Sequence, residues 1–152
     1  MTAGGVRLRA ATTADAAFLR ELRNDADVRR HSRASDVVEE DAHLHWLTDT
    51  LADPWRHLFV IEDPAGPVGQ LRLDVHERYA EVSIAVVASA RERGIAAAAL
   101  RAADTKAREL GLSELRAFVR RSNEPSLRLF DRGGYRQLGD AHDLVELRRL
   151  LR

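Results

Sequence analysis

Between Val86 and Ala97 the chain passes from a strand pattern to a helix pattern with only a few residues of turn. Upstream, Ala80, Val82, Ile84 and Val86 alternate with Glu81, Ser83 and Ala85, so the two faces of this strand differ chemically. Downstream, Ile95, Ala99, Ala103, Ala107 and Leu110 recur at helical spacing, and Gly111 stands where a helix C-cap is expected. A helix that starts directly after a strand turns unpaired N–H groups and partial positive charge toward whatever lies at the strand end. Gly94 and Ala96 are small enough for an anion to approach the backbone, and Arg91 and Arg93 add local positive charge. The segment predicts an anion cradle built from main chain, with the chemistry at the end of the strand.

The rest of the chain supplies a sheet for this unit to sit in. Val6, Leu8 and Ala10 alternate as a first strand, and Thr12 or Thr13 with Asp15 start a helix carrying Phe18, Leu19 and Leu22 that runs out near Asn24. A second helix is predicted over Val38 to Leu51, with an apolar stripe of Ala42, Leu44, Trp46, Leu47 and Leu51, ended by Asp53-Pro54. His57 to Glu62 and Val68 to Val75 make a hairpin around Asp63-Pro64-Ala65-Gly66. Leu115, Ala117 and Val119 form a later strand, and Asn123-Glu124-Pro125 opens a short helix closed by Gly133-Gly134. Strands near Tyr135 to Leu138 and Leu144 to Leu150 finish the chain. With 152 residues and 45% hydrophobic content there is core enough for one interleaved α/β domain over 1–152 and too little for two.

Composition removes several functions. Acidic and basic residues balance at 24 each, so no net charge recruits nucleic acid, and any anion has to be met locally. Without cysteine there are no disulfides, thiol nucleophiles or cysteine zinc sites, which fits a cytoplasmic protein. No stretch reaches the ~18 to 20 apolar residues that span a bilayer, and no export signal is visible. His43 and His45 lie about 200° apart on their helix, whereas ligand pairs sit three or four residues apart, so no metal site is predicted. No Gly-x-Ser-x-Gly or GxxxxGK[ST] stretch supports a serine hydrolase or a nucleoside triphosphatase.

Arg91-x-x-Gly94-x-Ala96 resembles the acetyl-CoA signature of the GNAT acetyltransferases, and Asn123-x-x-Ser126-x-x-x-Phe130-x-x-x-Gly134-Tyr135 resembles that family's later motif in type, order and spacing. The resemblance implies a GNAT-like acyl-CoA N-acyltransferase fold, a mixed and mostly antiparallel sheet of about six or seven strands flanked by about four helices. It implies that backbone at Ile84, Ala85 and Val86 pairs with pantetheine. It further implies that Glu92, Arg93, Gly94, Ile95, Ala96 and Ala97 surround the diphosphate with Arg91 as local positive charge, that Asn123 holds the cofactor near its thiol end, and that Ser126 and Phe130 also belong to the cofactor site. Glu92 stands where many members have Gly, and a carboxylate beside a diphosphate is unfavourable unless it points to solvent.

In such enzymes a neutral amine attacks the thioester directly, so the site needs a base, donors for the developing oxyanion and a way to stabilise thiolate. Backbone N–H groups around Val86 suit the oxyanion. Phe130 occupies the place where many members carry a tyrosine, and phenylalanine cannot donate a proton to the departing sulfur. A thiol with a pKa near ~8.5 leaves as thiolate without it, so the reaction is slowed rather than forbidden. Glu81, five residues before Val86, is the expected base. Phe118 takes a position where protein N-terminal acetyltransferases of the family use glutamate, which disfavours a ribosomal-peptide acceptor.

Leu22 to Arg29, followed by Glu40 to Leu47, resembles the acceptor side of GNAT enzymes that acetylate UDP-linked amino sugars, and implies that Arg23, Asn24 and Trp46 face the acceptor. Helix capping and core packing explain the same residues equally well. The alternatives are a peptide N-terminus, polyamine or aminoglycoside as acceptor, or a non-catalytic acyl-CoA-binding sensor. The expected partners are a small-molecule amine and, in a homodimer, a second copy of the chain; nucleic acid and membrane are not expected.

Overall fold

The computed structural model describes residues 5–32, 36–91 and 93–151. Seven strands run β1 (Arg7–Ala10), β2 (Arg56–Asp63), β3 (Gly66–Val75), β4 (Tyr79–Val86), β5 (Glu114–Arg120), β6 (Arg136–Ala141) and β7 (Leu144–Leu150). They form one sheet in the order β1-β2-β3-β4-β5-β7-β6. Every neighbouring pair is antiparallel except β4 and β5. A parallel pair needs a crossover, and the helix α4 (Ile95–Glu109) supplies it. The other helices are α1 (Ala16–Asn24), α2 (Ala26–His31), α3 (Glu40–Ala52) and α5 (Glu124–Arg132).

The period-two pattern of the strands sorts residues onto two faces. On one, Phe59, Ile61, Leu73, Ala80, Val82, Leu115 and Ala117 pack with Ile95, Ala99, Ala103 and Ala107 of α4 and Phe130 of α5. Full burial of a side chain such as Ile95 contributes about 2 kcal/mol, and the run of alanines lets α4 lie close on the sheet. On the other face Leu58 and Val60 meet Leu19 of α1 and Leu47 of α3. Thr12 and Asp15 form a capping box at the 3-10 turn (Thr13–Asp15) leading into α1, and Arg9 bonds Asp15 at 2.9 and 3.0 Å and Glu62 at 2.9 Å. The start of α1 is thereby tied to the sheet edge.

One helix is additional to those expected, and one apolar stripe needs correction. The segment after Asn24 is a further helix, α2, capped by Asp25, whose carboxylate accepts from the amides of Asp27 at 2.9 Å and Val28 at 3.1 Å. In α3 the buried residues are His43, Leu47 and Thr50, while Ala42, Leu44 and Leu51 face solvent. Leu47 fixes the inward direction, and His43 and Thr50 lie on its face at intervals of four and three residues. His43, 3% exposed, is held below the usual histidine range by burial and by Arg20 and Arg23, so it packs as a neutral ring 5.4 Å from Trp46.

Candidate active site

β4 and β5 pair at only three positions, Tyr79↔Glu114, Ala80↔Leu115 and Glu81↔Arg116, although β4 continues to Val86 and β5 to Arg120. Beyond Glu81 the two strands part. The cause lies on the opposite side of β4, which stays in register with β3 as far as Gly69↔Val86 and then adds a bond from Val87 N–H to Val68 C=O at 2.9 Å. A Cβ on Gly69 would stand 2.4 Å from the Ala85 carbonyl oxygen and 3.2 Å from Val86 Cα. Only glycine permits that approach, and it lets β4 lean toward β3 and away from β5.

In an antiparallel ladder the N–H and C=O of one residue point to the same side and successive residues alternate. The Val87–Val68 bond sets that alternation: Ala85 turns its main chain to β3, whereas Ile84 and Val86 turn theirs into the gap facing β5. The expected pantetheine pairing therefore needs correcting at Ala85, whose groups belong to the β3 ladder. Glu81 is the last residue before the strands part, half-buried on the face away from α4, between Asp74 on β3 and Arg116 on β5.

Past Val86 a 3-10 turn (Ala88–Ala90) leads to Gly94, which adopts φ 77° as the residue before α4 and makes no side-chain cap. Ala98 N–H to Gly94 C=O, 3.0 Å, begins the intrahelical ladder, so the amides of Ile95, Ala96 and Ala97 precede it. Three successive N–H groups at a helix start are the kind of donors an anion takes. Glu92 lies outside the described residues. Arg93 is exposed, with its guanidinium 3.5 Å from Asp63. Arg91, expected as a charge on the diphosphate, is engaged with groups of the protein. Its Nε donates to Val86 C=O at 3.1 Å, Nη1 to Asp27 at 2.9 Å and Nη2 to Asp25 at 3.5 Å.

Across the gap α5 starts at half-buried Asn123, whose Oδ1 accepts from the Ser126 amide at 3.4 Å. Phe130 is 3% exposed, packs within the core and meets Tyr135 edge to face at 4.9 Å. The acceptor-facing residues are also redistributed. Asn24 donates to Val38 C=O at 2.9 Å and accepts from Val38 N–H at 2.7 Å, which uses its amide to pin the approach to α3. Trp46 packs against the α1–α3 core with Arg72 5.7 Å from its ring, and Arg23 is half-buried near His43. Sequence reasoning missed a pocket of about 220 Å³ between α1 and the end of β4, lined by Phe18, Glu21, Leu22, Asp25, Val87 and Ala88. Its one legible signal was Asp25, a helix-capping residue directly after Asn24.

The sequence matches the family described as Acetyltransferase (GNAT) domain over residues 6–136. It is 33% identical over 120 residues, 74% of this chain and 72% of the relative, to YwnH of Bacillus subtilis (strain 168), provisionally named a phosphinothricin acetyltransferase. The fold is similar to a crystal structure provisionally described as a phosphinothricin N-acetyltransferase, with TM-score 0.82, 26% identity and coverage of 97% of this chain and 99% of that one. Spermidine N-acetyltransferase from Vibrio cholerae, in complex with CoA and spermine, shares the fold at TM-score 0.85 and 20% identity, covering 96% and 95%. So does the ribosomal L7/L12 alpha-N-protein acetyltransferase RimL in complex with coenzyme A, at 0.85 and 18%, covering 99% and 97%.

The fold and the family match together define an acyltransferase that works through a coenzyme A thioester. More narrowly, the chain belongs to the GNAT acetyltransferases and is an N-acetyltransferase with acetyl-CoA as donor.

Proposed function

We propose that the chain transfers acetyl from acetyl-CoA to the primary amine of a small molecule that enters between α1 and the end of β4. The observation that carries this reading is the gap between β4 and β5, with Ile84 and Val86 turned into it beside the uncapped start of α4. These groups fit the cofactor: an amide-bearing pantetheine arm can pair with a strand edge, and a diphosphate suits the amides of Ile95, Ala96 and Ala97. When bound there, acetyl-CoA supplies an acetyl group activated as a thioester.

The chain's own groups then have separate tasks. The Val86 N–H, on the gap side of β4, is aimed to stabilise negative charge developing on a carbonyl oxygen. Asn123, at the start of α5, borders the opposite wall. Glu21 and Asp25 draw a cationic ammonium group into the pocket while Phe18 and Leu22 receive its apolar part. An ammonium cannot attack, so a proton has to leave first, and Glu81 at the fork of the strands is the proposed acceptor, directly or through water.

Proteins named for phosphinothricin and for spermidine set the first amines to try, with a peptide N-terminus, which Phe118 disfavours, as the contrast. A UDP-linked amino sugar ranks below them, because Asn24 and Trp46, which supported it, are engaged in packing. A mass-spectrometric acetyl-transfer screen over these amines, repeated with Glu81→Gln and Gly94→Glu, tests the reading. Gly94→Glu is expected to abolish acetyl-CoA binding by calorimetry. Glu81→Gln should keep binding and lose about 10²-fold or more in kcat; full activity in Glu81→Gln discards that residue as base, and binding without transfer to any amine favours the sensor.

A further inference from the structure

Helix α2 is held at both ends by arginines from the two sides of the β4–β5 gap. At its start Arg91, five residues beyond the end of β4, bonds Asp27 at 2.9 Å and reaches Asp25 at 3.5 Å. At its end Arg120, the last residue of β5, donates from Nη2 to the Ser32 carbonyl at 2.9 Å. Six residues of helix are about 9 Å long, so the short α2 acts as a crossbar between the strands that part. Arg91 has a third partner, the Val86 carbonyl at 3.1 Å, and that carbonyl faces the gap. The peptide joining Val86 to Val87 is fixed from both directions, its C=O by Arg91 and its N–H by Val68.

Asp25 connects this brace to the acceptor pocket. The carboxylate oxygen that caps α2 through the amides of Asp27 and Val28 is also the one that Arg91 approaches, and Asp25 lines the pocket between α1 and β4. Burial alone would raise the Asp25 pKa, but the two amides and Arg91 outweigh it, so the group stays ionised. The three partners of Arg91 occupy both ends of its planar fork, a geometry that a lysine point charge cannot reproduce.

We infer that Arg91 is a positioning residue: instead of binding phosphate through its guanidinium, it braces α2 across the β4–β5 gap, aligns the Val86 peptide and sets Asp25 in the acceptor pocket. The pocket part of this inference rests on the acceptor route proposed above. Arg120 is the matching brace at the far end of α2.

The test compares wild type, Arg91→Lys, Asp27→Asn and the double variant by acetyl-CoA calorimetry, by hydrogen exchange over residues 26–32, and by kcat and KM for the amine that wild type acetylates. Each single variant should speed exchange in that segment and raise the amine KM about tenfold, with acetyl-CoA affinity within about threefold of wild type; Arg91→Lys, which also releases the Val86 carbonyl, should lower kcat about tenfold, whereas Asp27→Asn should leave kcat within about threefold. The double variant should be no worse than Arg91→Lys alone, because that variant has already lost the link to Asp27. The inference is overturned if Arg91→Lys weakens acetyl-CoA binding tenfold while Asp27→Asn changes nothing, the behaviour of a phosphate ligand. It is also overturned if exchange over 26–32 is unaltered in both. Should wild type acetylate no amine, the proposed function fails, while exchange and calorimetry still decide the role of Arg91.

Discussion

Gly69 is the residue on which the site's shape turns. It carries no charge and touches no expected ligand, yet the space for its missing Cβ is filled by the Ala85 carbonyl oxygen at 2.4 Å. In Gly69→Ala the strands have to move apart, which is expected to cost about 1–3 kcal/mol and to push β4 back toward β5, narrowing the gap. Urea unfolding should register the first effect. Acetyl-CoA calorimetry should show at least a tenfold loss of affinity, and wild-type affinity in a destabilised protein would separate Gly69 from the site. Gly94 and the arginines around it stood out because motif residues have recognisable types and spacings. Gly69 did not, since a strand glycine reveals its purpose only when the facing strand is known.

Among the elements, α1 shows how a helix start couples the fold to pH. Asp15 is held below the usual carboxylate range by its hydrogen bonds from Arg9, against an opposing effect of burial, with help from the Thr12 amide. Glu62 is held low by Arg9 and then by Arg7. In the unfolded chain these carboxyls take up protons near pH ~4. Their contribution is thus complete above that pH and is lost as pH falls through and below it, while the folded form resists protonation. Arg9→Met should lower stability at pH 7, and its urea midpoint should fall less steeply than wild type between about pH 5 and pH 3. Parallel pH curves would mean that Arg9 does not hold these groups. The capping box was readable from Thr12 and Asp15, but the part played by Glu62 was not, because it comes from a strand 47 residues away in sequence that only β1–β2 pairing brings alongside.

For the whole molecule the decisive feature is that two cores lie on opposite faces of one sheet, with the proposed site where the sheet divides between β4 and β5. Among the described residues no helix is long and apolar enough to cross a membrane. A ligand held across the gap joins the α4–β4 side to the α5–β5 side, so binding should be felt by the global unfolding transition. At a hundredfold excess over Kd, acetyl-CoA should add about 2.7 kcal/mol, or roughly 5–10 °C in Tm for a chain of this size. Differential scanning calorimetry with Gly94→Glu as control checks this: the variant should show no shift, and an equal shift in both would place the cofactor elsewhere.

Local chemistry is legible in the amino-acid sequence by itself: the strand-to-helix turn at Val86 to Ala97, the Asn123 cap, the alternation of the strands and the absence of thiols all follow from residue types and their neighbours along the chain. Side-chain allegiance is not. Arg91 turns to Asp25 and Asp27, Asn24 to Val38 and Trp46 to the core, since a guanidinium, amide or indole takes whichever partner the fold sets within reach. Periodicity says which way a residue faces. What it meets there depends on strand order and on the single parallel pair, which tertiary packing alone decides.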